Sequence, residues 1–231
     1  MITALIRPQF LKQPANIIID ITGNRASVPV SISLAFKYLL EAIVRPAIVF
    51  HEFKARSDKL QISLWLLFFF ALLYSFTALL LYLTGVFPVI EPWIPVPVEK
   101  YYLFQAFWTI PWGMVTAMAL AGSTHVLAVI GRRSSSSFDF EDALIVTCIA
   151  WVVPSFVLMW LPETLVVPFF GAVPWPAWID IVRLSILAPI WHIMLVITGV
   201  RKLYGIGWLQ GIIIAVVFVV ISFGMFIPVM R

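Results

Sequence analysis

Charge is what this sequence has least of. Of its 231 residues only 11% are Asp, Glu, Lys or Arg, while 62% are hydrophobic. A soluble globular domain carries about a quarter charged residues and under half apolar ones. An apolar excess of this kind cannot all be buried in one water-soluble domain of this size, so a soluble enzyme and a disordered tail are excluded. Cysteine is nearly absent. Cys148 stands alone, which leaves no internal disulfide and no cysteine cage for zinc, and excludes a disulfide-stapled module. Histidine is restricted to His51, His125 and His192, too scattered to suggest a metal site, and no cofactor is expected. No signal peptide is evident, because Arg7, Pro8, Lys12 and Pro14 break the first apolar stretch. The net charge of +4 reports loop topology in a chain this apolar, not nucleic-acid binding.

What is abundant is long uncharged sequence. A spanning helix needs about 20 apolar residues to cross a hydrocarbon layer of about 30 Å. Five runs qualify: 60–90, 101–131, 143–162, 184–200 and 203–230. They are continuous and not alternating, so they predict helices, not barrel strands. A sixth uncharged run, 164–179, reads TLVVPFFGAVPWPAWI and contains Pro168, Pro174 and Pro176. Proline removes a backbone donor and breaks helices, so this run is expected to be re-entrant or surface-lying, with Trp175 and Trp178 at the lipid–water boundary. The fold class expected is all-α: a polytopic bundle of five transmembrane helices. Three units follow: a front segment 1–30, an interfacial amphipathic helix region 31–59, and the membrane domain 60–231.

Basic residues set the orientation. Twelve of the fifteen lie on one side: Arg7, Lys12, Arg25, Lys37, Arg45, Lys54, Arg56 and Lys59 in front, Arg132 and Arg133 after the second span, and Arg201 and Lys202 after the fourth. Lys100, Arg183 and Arg231 lie on the other. Positive loops stay cytoplasmic, so the N-terminus is expected inside and the C-terminus outside.

The front end carries its own pattern. Residues 31–45 read SISLAFKYLLEAIVR, with Lys37, Glu41 and Arg45 four apart on one helical stripe. Pro46 then resets the chain. The segment predicts a helix in the inner interface that either packs on the membrane domain or docks a partner or curved lipid. Ile17 to Ile19 suggest a short strand before a Thr-Gly-Asn-Arg turn.

Residues suited to chemistry are few. His125 and His192 fall within spans, where an ionisable group is a functional candidate, but either ring can also hydrogen-bond a neighbouring helix. Ser123 and His125 are too close in sequence to face each other as nucleophile and base. No pair of histidines one turn apart accompanies a glutamate, as a metalloprotease would need. An enzyme is not expected. Pro111, Pro154 and Pro189 mark kinks, read either as packing geometry or as hinges in a permeation path. In the inner loop, RRSSSSFDFEDA, Arg132 and Arg133 could meet phosphate headgroups. Ser137 or a nearby serine could cap the third span, with Asp139, Glu141 and Asp142 near its positive end. Lys37, Arg45, Arg201 and Lys202 complete the candidate lipid or partner contacts.

Three stretches carry a family likeness: RPAIVFHEFKARSDKL before span one, HVLAVIGRRSSSSFDFEDALIVTCIAWVVPSF across spans two and three, and LAPIWHIMLVITGVRKLYGIGWLQGIIIAVV across spans four and five. Over residues 45–231 the chain resembles the Yip family of Rab/Ypt-interacting membrane proteins. The resemblance implies a cytoplasmic front end, five clustered spans and an outside C-terminus, with no catalytic residues. The short front end is similar to prokaryotic members and implies the inner membrane; a eukaryotic endomembrane is the alternative. It further implies a membrane-organising protein or accessory subunit whose partners are membrane lipids and other membrane-protein subunits. The competing reading is a small permease or transporter component with a path near Pro154, Pro189 and His192.

Overall fold

A computed structural model describes residues 32–88, 94–130, 139–170 and 176–226. The front segment 1–30, Arg132, Arg133, Ser137, Trp175 and Arg231 lie outside the described residues, and so do the expectations that fall on them.

The described residues form nine α-helices and no strand. Two short ones come first, α1 (Ile32–Val44) and α2 (Pro46–Phe53). Pro46 supplies the first residue of α2, where its missing N–H is not needed, and Arg45 before it leaves the helical region at φ −137°. Five helical stretches are then long and apolar enough to cross a membrane. The first is α3 (Lys59–Leu83). The second runs from a 3₁₀ turn at Val98–Lys100 into α4 (Tyr101–Ile130). The third joins α5 (Phe140–Ser155) to α6 (Leu161–Phe170), and the fourth joins α7 (Ala177–Asp180) to α8 (Ala188–Tyr204). The fifth is α9 (Trp208–Phe226). Gly205, at φ 64°, ends α8 in the left-handed conformation that glycine adopts without strain, and only two further residues precede α9.

The third and fourth spans are longer than the uncharged runs suggest. They extend over Phe140–Val166 and Trp178–Tyr204. The expected re-entrant character of 164–179 is therefore corrected at both flanks: one continues span three and the other opens span four. Two physical devices allow this. First, the charges that seemed to end the spans are satisfied. Tyr74 Oη donates to Glu163 at 3.0 Å, and Arg183 donates to Asp180 at 2.7 Å one turn away. Second, the prolines follow widened turns. A proline ring clashes with the carbonyl four residues back; for Pro162 that is Leu158, and for Pro189 it is Ser185. Both fall inside π-helical segments, Phe156–Trp160 and Ile181–Leu187, where the wider turn makes room. Pro111 and Pro154 are carried inside α4 and α5.

Span three is the axis of the bundle. Of its most apolar window 72% is buried, against 28–44% for the other four spans. Helix α5 packs on α3, α4, α8 and α1. We call the end holding α1 and α2 the near end, and the other the far end. In the near half, Leu66, Leu120, Val146, Ile149, Val196 and Val200 form a closed core. Polar side chains bind the helices across it. His125 Nδ1 meets Tyr204 Oη at 3.1 Å, and Gln210 donates to the Leu127 and Ala128 carbonyls in the last turn of α4 at 3.0 and 3.2 Å. Lys59 and Asp142 form a buried ion pair at 2.6 Å between the first turns of α3 and α5.

Candidate functional site

The far half is not closed. A cavity of about 260 Å³ lies among all five spans, from mid-bundle outward. Helix α3 contributes Leu67, Phe70, Ala71 and Tyr74; α4 contributes Gln105, Trp108, Thr109, Trp112 and Gly113. Span three adds Trp151, Ser155, Met159 and Glu163, span four adds Leu184, Ala188, Pro189 and His192, and α9 adds Val219, Ser222 and Phe223. The wall is chiefly aromatic and aliphatic, with a few polar groups set into it, which is the composition of a small-molecule site. Local packing fixes the rings. Trp108 stacks between Phe104 and Trp112 at 5.8 and 6.0 Å, and Phe70 meets Trp151 edge-on at 6.2 Å.

His192 is the most telling group in the wall. Its Nδ1 lies 2.5 Å from the Ala188 carbonyl one turn back in α8. A carbonyl only accepts, so Nδ1 carries the proton and Nε2 of the neutral ring is an acceptor. That Nε2 has no partner among the described residues, and neither has Gln105 Oε1. The sequence pointed to His192 as an intramembrane polar residue, and its ring bonds its own helix. His125, by contrast, reaches Tyr204 on another helix. Pro189 lines the cavity beside His192, and Pro154 precedes the lining residue Ser155. Sequence gave no signal for Gln105, Trp108 or Trp112, whose convergence depends on tertiary packing.

The near end offers a second surface. Helix α1 presents three stripes. Ala35, Tyr38, Leu39 and Ala42 are buried in the core; Ile32, Phe36, Leu40 and Val44 are exposed and apolar; and Lys37 pairs with Glu41 at 3.6 Å on the third. Helix α2 buries Val49, Phe50 and Phe53 against the bundle. Arg45 is exposed. The Arg201 guanidinium lies 3.8 Å over the Trp208 ring. With Lys202 it borders a shallow recess that also takes in Ala47 and Thr198. Neither Arg201 nor Lys202 forms an ion pair among the described residues. The expected serine cap of span three falls outside the described residues. Asp139 holds the capping position without a side-chain hydrogen bond, and Asp142 turns to Lys59.

Beside this surface Arg56 forks onto Asp58, with Nε–Oδ1 at 2.7 Å and Nη2–Oδ2 at 2.5 Å, and gives Nη1 to Tyr38 Oη at 3.1 Å. The Arg56 hydrogen bonds hold the Asp58 carboxyl below its usual range, while burial pushes the Tyr38 phenol up. A depressed carboxyl contributes stability that is fully present above the unfolded value of about 3.9 and is lost as pH falls through the folded one. Thermal midpoints measured down a pH series will therefore fall more steeply below about pH 4 for the parent than for Asp58→Asn. Parallel curves would remove this pair from the acid response.

The described fold and its cavity define a five-span helical membrane protein. Comparison with protein-family models, with curated proteins and with solved structures finds no match to this chain.

Proposed function

We propose that this is a non-catalytic integral membrane protein of the Yip type, a membrane-organising protein or accessory subunit of a membrane complex. Its near end faces the cytoplasm, and a prokaryotic inner membrane is its setting. The three-striped α1 carries the reading. One stripe anchors the helix to the bundle through Tyr38 and Leu39, and the charged stripe with Lys37 faces water. The third stripe, Ile32, Phe36, Leu40 and Val44, is left for lipid. A helix held at the membrane boundary by its own core and inserted on one side occupies area in one leaflet, which favours curvature. Arg45, Arg201 and Lys202 supply positive charge at the same end, where anionic headgroups gather.

The test is reconstitution into large anionic vesicles at fixed protein density, with diameters measured by electron cryomicroscopy. The parent will shift the distribution to smaller, more curved vesicles, and Leu40→Glu with Val44→Glu will return it to that of protein-free vesicles. Equal distributions for the parent and protein-free vesicles would sink the membrane-organising role.

The far-half cavity favours a second reading, a ligand-holding or permease component. The cavity reaches mid-bundle at His192 and Pro189, while the near half below it is closed by core side chains. That shape suits a site occupied from one side of the membrane.

A further inference from the structure

We propose that the far-half cavity is a binding site for an organic ammonium ion: a primary or secondary amine, protonated, with a short apolar body. The inference rests on reading the cavity as a ligand site and goes further by assigning the ligand's charge and hydrogen-bonding sense.

Two buried acceptors in the wall are left open. His192 Nε2 is an acceptor because Nδ1 donates to Ala188, and the residue is 8% exposed. Gln105 Oε1 is a second acceptor, on a residue 9% exposed. Both lack a partner among the described residues, and a buried polar atom without one costs about 1–3 kcal/mol. A ligand N–H would satisfy them. Meanwhile three lining donors are already used: Thr109 Oγ1 to the Gln105 carbonyl at 2.7 Å, Trp112 Nε1 to the Met225 carbonyl at 3.1 Å, and Tyr74 Oη to Glu163 at 3.0 Å. Ser155 Oγ, which also lines the cavity without a partner among the described residues, can accept from an ammonium ligand as well as donate to a ligand acceptor.

Electrostatics point the same way. Among the described residues no Lys or Arg lines the cavity, and Glu163 does. Indole and phenyl faces carry negative potential and attract a cation positioned over them. Trp108 and Trp112 enter from α4, Phe70 from α3 and Trp151 from α5. The lining offers an anion no cationic partner among the described residues. The mostly apolar lining holds the ligand's carbon body by burial.

The experiment is equilibrium dialysis of the full chain in lipid nanodiscs, with empty nanodiscs as the baseline. Four probes of equal chain length are compared: octylammonium, octyltrimethylammonium, octanol and octanoate. Octylammonium will bind above baseline and at least about tenfold tighter than octanoate, with octanol in between. Octyltrimethylammonium keeps the charge but lacks N–H donors, and will bind more weakly than octylammonium. His192→Phe will abolish the preference of octylammonium over octanol while octanol itself still binds. Gln105→Leu will reduce the same preference and serves where His192→Phe does not fold. Octanol and octanoate binding as tightly as octylammonium overturns the ammonium assignment and leaves the ligand site standing. Binding of no probe above empty nanodiscs overturns the ligand site together with the assignment.

Discussion

Asp142→Asn is expected to destabilise the protein by about 3–5 kcal/mol, the range for stripping one partner from a buried ion pair. Lys59 and Asp142 stand 2.6 Å apart with side chains 10% and 11% exposed, so little water replaces the lost partner. The two ends of the pair are not equivalent. Asp142 lies in the first turn of α5, where the helix dipole favours a negative charge, whereas Lys59 opens α3, where the dipole disfavours its ammonium. Removing Asp142 thus leaves a cation both desolvated and set against a positive helix end. Lys59→Met leaves a carboxylate that its own helix still favours, so it will cost less. Thermal and denaturant unfolding in mild detergent will rank the parent most stable, Lys59→Met next and Asp142→Asn last. The double variant Lys59→Met/Asp142→Asn will recover part of the loss, since no unpaired charge is left buried. Losses that simply add in the double variant would show that the two side chains do not act as a pair.

The same pair shows what a reading of the chain alone can reach. Five spans were legible because hydrocarbon imposes a length and excludes unpaired charge, and both constraints are visible residue by residue. Their boundaries were not legible. Glu163 looked like an end because its partner is invisible in one dimension; Tyr74 stands 89 positions away. Pro189 was legible as a kink, but sequence does not show that the turn before it, or the one before Pro162, widens to admit the ring. On α1 the charged stripe was legible from spacing. The division of its apolar residues into one stripe for the core and one for lipid appears only once α3 and α5 are packed behind Tyr38 and Leu39. The cavity was the least legible feature of all. His192 could be flagged as an intramembrane polar residue, yet its role as an acceptor depends on the Ala188 carbonyl, and its companions come from other spans.

Gly199→Ala tests how firmly the near-end helices are tied to the bundle. A Cβ added at Gly199 would lie 2.8 and 2.9 Å from the two methyl carbons of Val146 and 3.0 Å from Phe50 Cζ. Those distances are too short for carbon atoms, and the two Val146 methyls straddle the position, so turning that side chain exchanges one clash for another. Alanine gains about 1 kcal/mol over glycine inside a helix, but overpacking a core of this density costs about 1–3 kcal/mol. The clash is expected to win, because Val146 is fully buried on the axial helix and has nowhere to retreat. Phe50 belongs to α2, so the strain is relieved most easily by lifting α2, and α1 with it, away from α8. Gly199→Ala will therefore lower the thermal midpoint and also make α2 easier for protease to cut, before the spans themselves unfold. Val146→Ala creates a small void on its own, yet in combination with Gly199→Ala it removes the methyls that obstruct the new Cβ. The double variant will be more stable than the sum of the single losses predicts, a coupling readable in a double-mutant cycle. If Gly199→Ala matches or exceeds the parent in stability, the contact of α8 with α2 and α5 is looser than these distances require, and α1 has no rigid seat from which to press into lipid.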